Sequence, residues 1–105
     1  MPEAIDFTKP PSHGVIDLLI FKLTWKVEEQ PFSVTIDIFA IFHHVFHVKL
    51  DAANPKAHAG VDLGPIGEVD LDIELKTHPP RKLHLTGKVR AGVFELKVDL
   101  PIPLP

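Results

Sequence analysis

The segment "VDLDIEL", Val69 to Leu75, alternates apolar and acidic residues without a break. Val69, Leu71, Ile73 and Leu75 share one parity, and Glu68, Asp70, Asp72 and Glu74 share the other. A repeat of two is the period of a strand with one buried face, whereas a helix needs apolar residues every three to four positions. The same period governs most of the chain. In "LIFKLTWKV", Leu19, Phe21, Leu23, Trp25 and Val27 alternate with Lys22, Thr24 and Lys26. In "FSVTIDIFAIFHHVFHVKL", Phe32, Val34, Ile36, Ile38, Ala40, Phe42, Phe46, Val48 and Leu50 lie on one parity. β-Branched and aromatic residues fill these runs, which favours strands further. "LHLTGKV" and "VFELKVDL" complete the pattern, with a change of parity around Ala91 and Gly92 that implies a bulge or a tight hairpin turn. The expected fold is all-β: an antiparallel meander of four to six long, bent strands forming a small sandwich or open barrel, with no substantial helix.

The 105 residues fit one domain. Residues 1–14, with Pro10, Pro11 and Gly14, read as an extended arm. Residues 15–100 read as the β domain. Residues 101–105, "PIPLP", read as a Pro-rich tail that cannot continue a central strand. "DAANPKAHAG" reads as a loop.

Turn positions suggest a register. If "EEQP" closes the first hairpin, Val27 faces Phe32, Trp25 faces Val34 and Phe21 faces Ile38, all on one apolar face. Continuing that register sets Ile20 against Phe39, Leu18 against Ile41 and Ile16 against His43 on the other face. A second apolar surface, made by Ile16, Leu18, Ile20, Phe39, Ile41 and Val45, is therefore expected. With "THPPRK" as a turn, Glu74 faces His84, Asp70 faces Lys88 and Glu68 faces Arg90, a charge complementarity that favours this register. An unbroken strand from Phe32 to Leu50 would span roughly 60 Å at about 3.3 Å per residue, while a domain of this size is nearer 30 Å across. It must bend or break, and His43-His44 is the expected place.

Composition closes several routes. With a formal charge of -3 and scattered basic residues, nothing points to nucleic acid. No cysteine is present, so disulfides, thiol catalysis and Cys-bound zinc are excluded. The N-terminus lacks the pattern of a signal peptide, and no apolar run is long enough for a transmembrane helix. A cytoplasmic location is the expectation. The only serines are Ser12 and Ser33, and no nucleophile elbow or phosphate-binding glycine loop accompanies them. The acidic row on the "VDLDIEL" strand lacks the calcium-loop spacing.

The histidines of "FHHVFHV" are the main chemical signal. On a regular strand His43 and His47 share a face and His44 takes the other, with His43 and His47 about 13 Å apart. One ion with bonds near 2.1 Å cannot touch both, so a neighbouring strand must contribute, and Glu68 is the candidate. "GVFELKVDLP" followed by "IPL" resembles the end of an α-crystallin domain of small heat-shock proteins with its apolar C-terminal anchor, over residues 92–104. The resemblance implies that Ile102 and Leu104 dock as an extended strand in a neighbour's groove; capping their own sheet's edge is the other reading.

The resulting expectation is a non-enzymatic binding or assembly protein without a cofactor. Its second apolar face would be covered by another subunit, a homodimer first, or by a lipid or other apolar small molecule. The alternative is a metal-binding protein or metal-dependent enzyme using His43, His47 and Glu68.

Overall fold

The computed structural model describes residues 12–41 and 43–105. Of the N-terminal arm, residues 1–11 lie outside this range, as does Phe42. Eight strands follow in order: β1 (His13–Leu18), β2 (Phe21–Glu28), β3 (Ser33–Ala40), β4 (His43–Asp51), β5 (Lys56–Asp62), β6 (Gly67–Lys76), β7 (Lys82–Ala91) and β8 (Phe94–Pro103). They form two four-stranded antiparallel meanders, β1-β2-β3-β4 and β5-β6-β7-β8. No helix occurs among the described residues.

The inner faces of the two sheets share one core. Phe21, Leu23, Trp25 and Val27 enter it from β2, Val34, Ile36 and Ile38 from β3, and Leu71, Ile73, Leu83, Leu85 and Val89 from the second sheet. These are the parities that the sequence alternation assigns to the buried side. The acidic row of β6 faces β7 in the expected register, with Glu68 opposite Arg90, Asp70 opposite Lys88 and Glu74 opposite His84.

Eight strands exceed the expected number for two reasons. The two long strands each fold back on themselves, and "KAHAGVD" pairs with β6 as β5 instead of looping. The first break lies at Leu19 and Ile20, between Leu18 and its partner Phe21. The second begins at Ile41, between Ala40 and its partner His43, two residues before the expected break at His43-His44. A third two-residue turn, Gly92-Val93, joins Ala91 to Phe94 and resolves the parity change there as a hairpin. Each of these turns has positive φ at its first central residue: Leu19 at 62°, Ile41 at 45° and Gly92 at 61°. That backbone suits a hairpin but favours glycine.

The first hairpin register differs by two residues from the expected one: Val27 faces Val34, Trp25 faces Ile36 and Phe21 faces Ala40. Even slips preserve the face, so the core is unchanged. β1 begins at His13, within the expected arm, and β8 runs through Pro101 to Pro103. β8 is an edge strand, where missing amide donors are tolerated.

The sandwich has two unlike ends. At one, the β1–β2 and β3–β4 turns of the first sheet meet the β5–β6 loop and β7–β8 turn of the second. A Cβ built on Gly67 would lie 2.9 Å from Ile20 Cδ1, which shows how closely the sheets approach there. Of the exposed large apolar residues described, Leu19, Ile41, Ile66, Val93, Phe94 and Leu96 lie at this end and only Val15 lies elsewhere. Val93 is 93% exposed and Phe94 71%. The other end is polar and pinned by Arg81, whose guanidinium lies 3.5 Å from Glu29 and 4.1 Å from the Phe32 ring centre.

Candidate functional site

The outer face of the first sheet carries rows of side chains set by strand register. Lys22, Phe39 and His44 form one row, and Thr24, Asp37 and His47 form the next. Residues three apart in a regular strand point to opposite faces. His44 and His47 nonetheless share a face, because the β3–β4 register shifts between Ile38 and Phe39. Ile38 faces Phe46 while Phe39 faces His44, which leaves Val45 as an extra residue in β4. Such a bulge re-aims the side chains beyond it.

The consequence is a convergent cluster. His44 Nε2 lies 2.8 Å from Asp37 Oδ1, and His47 Nδ1 lies 2.6 Å from the same oxygen. One ligand atom from each of the three residues falls within 4.8 Å of the others. The two imidazoles meet edge-on with centres 6.0 Å apart, and the Phe39 ring lies 5.0 Å from His44. Both histidines are about half exposed, and Asp37 is more covered. Burial opposes ionisation of Asp37, but the hydrogen bonds and positive charge of His47 and His44 outweigh it, so its carboxyl sits below the usual range.

The residues expected from sequence are distributed differently. His47 is in the cluster. His43 is exposed opposite Ala40, and Glu68 lies in β6 of the other sheet, 3.9 Å from Arg90. Asp37 supplies the carboxylate and His44 the second imidazole; strict alternation hid His44 by putting it on the wrong face, and Asp37 was missed because only the turn at Ile41 brings it opposite His47. The six apolar residues are also divided. Leu18 is buried in the core, and Ile16, Ile20 and Val45 pack against it. Phe39 remains on the outer face, and Ile41 is exposed at the turn. Ile20, Lys22, Phe39 and Ile41 line a shallow groove of about 420 Å³. Ile102 and Leu104 are buried against their own core, and the Leu104 amide donates to the Arg81 carbonyl at 3.0 Å.

The second sheet has simpler His–Asp pairs outside. His58 bridges two carboxylates, with Nε2 3.0 Å from Asp70 and Nδ1 2.9 Å from Asp72. The hydrogen bond to Asp72 raises the imidazole above its usual value of 6.5, desolvation opposes this, and the charges of Asp70 and Asp72 add to it. A group raised on folding stabilises fully below its unfolded value and loses that contribution as pH rises through the folded one. The His58 contribution should therefore be present below 6.5 and be lost as pH rises above it, and His58→Gln should flatten that dependence. Urea midpoints across the range test this; an unchanged slope would remove the pair as a stabilising contact.

The chain matches no family model, no curated protein and no solved structure. No helix among the described residues is long and apolar enough to cross a membrane.

Proposed function

We propose that the protein is a non-enzymatic binding and assembly module that docks by the apolar end of its sandwich onto another protein surface, a second copy of itself in the first instance. The carrying observation is the backbone at Leu19 and Ile41. Both hold exposed apolar side chains at positive φ, in the turn position that Gly92 fills with glycine. A left-handed conformation costs an L-residue about 1–2 kcal/mol, and a β-branched residue there is a genuine outlier. Strain kept at an exposed site supports a use for that site. Ile66, Val93, Phe94 and Leu96 extend the same surface, as expected of a docking patch.

Replacing both residues, Leu19→Asn with Ile41→Asn, separates interface from fold. Asparagine tolerates positive φ and is polar. The wild type should sediment as a dimer and the double variant as a monomer. At concentrations where both are monomeric, the variant should be the more stable by about 1–2 kcal/mol, raising Tm by about 4–8 °C per kcal/mol. A wild type that stays monomeric at high concentration ends the self-docking reading. A co-purifying lipid in native mass spectrometry would replace the second copy by an apolar ligand in the groove beside Phe39.

A further inference from the structure

Independently of the docking end, we infer that Asp37, His44 and His47 form a binding site for a divalent first-row transition-metal ion of the zinc type. Two imidazole nitrogens and one carboxylate oxygen are a donor set for such ions; magnesium and calcium prefer oxygen ligands throughout. The donors come from adjacent strands at fixed register, Asp37 directly opposite His47. Two half-exposed imidazoles and one carboxylate each place a ligand atom within 4.8 Å of the others.

The fit requires little movement. A tetrahedral ion with bonds near 2.0–2.1 Å spaces its ligand atoms about 3.4 Å apart. The nitrogen–oxygen distances are now 2.8 and 2.6 Å, so each must open by under about 1 Å on the same geometry. Where Asp37 accepts from both rings, the facing ring nitrogens donate; to hold an ion each must instead offer its lone pair, its proton going to the other ring nitrogen or to solvent. Three protein ligands leave at least one position for water.

Ordinary surface pairing accounts less well for this arrangement than for the others. His84 meets a single carboxylate, Asp99, at 2.6 Å, and His58 sets one imidazole between two carboxylates. Among the described residues, Asp37, His44 and His47 are the group in which one ligand atom from each of three residues lies within 4.8 Å of the other two. The bulge at Val45 makes the difference, because without it His44 would face the opposite side of the sheet.

Calorimetric titration with zinc chloride, and visible absorption with cobalt(II), test the site on the full chain. One ion per chain is expected, with no competition from magnesium. His44→Ala and His47→Ala should each weaken zinc by at least about 100-fold, since loss of even an outer hydrogen-bond partner costs about 10–100-fold. His43→Ala should leave affinity unchanged. Imidazole NMR signals of His44 and His47 should shift on binding, and those of His43, His58 and His84 should not. All of these side chains are at least partly exposed, and circular dichroism checks that each variant is folded. Zinc affinity that survives in the His44→Ala/His47→Ala double variant, or falls equally with His43→Ala, overturns the assignment. So does the absence of stoichiometric binding in the wild type.

Discussion

Gly87→Ala is expected to destabilise the protein by about 4 kcal/mol, a large part of the 5–15 kcal/mol typical of a native domain. Gly87 lies in the middle of β7, between Leu71 of β6 and Val98 of β8. Its φ is 142°, and a Cβ there would sit 2.1 Å from the Asp70 carbonyl oxygen and 3.0 Å from Leu71 Cα. The obstructing atoms are backbone, so no side chain can rotate away. A side chain forced into sparse φ/ψ space costs about 1–3 kcal/mol, and overpacking a tight site adds about 1–3 kcal/mol. Gly92→Ala is the control. It also has positive φ, but open space surrounds its Cβ position, so only about 1 kcal/mol should be lost. Urea unfolding of both variants gives the comparison, and equal midpoints would mean that the central strand relaxes around the added methyl.

Phe21→Ala should cost about 3–5 kcal/mol, the usual penalty for emptying a buried ring site. Phe21 is 1% exposed and pairs with Leu18 and Ala40 at the start of β2. Its ring also reaches the second sheet, where Cε2 would lie 3.2 Å from a Cβ on Gly67. The cavity would therefore open between the sheets, behind the apolar end. Phe39→Ala removes the same ring from the outer face and should cost well under half as much. Guanidinium midpoints decide the matter; equal losses would place Phe39 in the core as well.

Much of the architecture was legible because alternation and charge agree. The β6–β7 register followed from a turn with two prolines and three complementary pairs, Glu68–Arg90, Asp70–Lys88 and Glu74–His84. The β2–β3 register did not. Phe32 and Val34 share a parity, so facing Val27 with either one buries the same residues, and only loop length distinguishes them. The length of the 32–50 run required a break, which was expected two residues too late, at His43-His44; the break at Leu19 was not expected, because Leu19, like Ile41, is apolar where glycine or asparagine marks such hairpins. The assumed continuity of those strands is also what joined Ile16 and Leu18 to Phe39 and Ile41 in one surface. At the candidate metal site the histidines were visible and their grouping was not. A bulge adds one residue to one strand and reverses every parity beyond it, so His44 changed sides. Nothing in "FHHVFHV" marks Val45 as that residue.

The two unlike ends of the sandwich also constrain stoichiometry. Two molecules meeting by the same end use one self-complementary patch, related by a two-fold axis. Such a contact consumes both copies of the patch and closes. The far end presents Glu29, Gln30, Asn54 and Arg81, and the β8 edge is interrupted by Pro101 and Pro103. A filament needs a second, different adhesive surface on each molecule, and the described residues provide no second apolar end. If the proposed docking pairs like patch with like about a two-fold axis, it closes at a pair whatever its affinity.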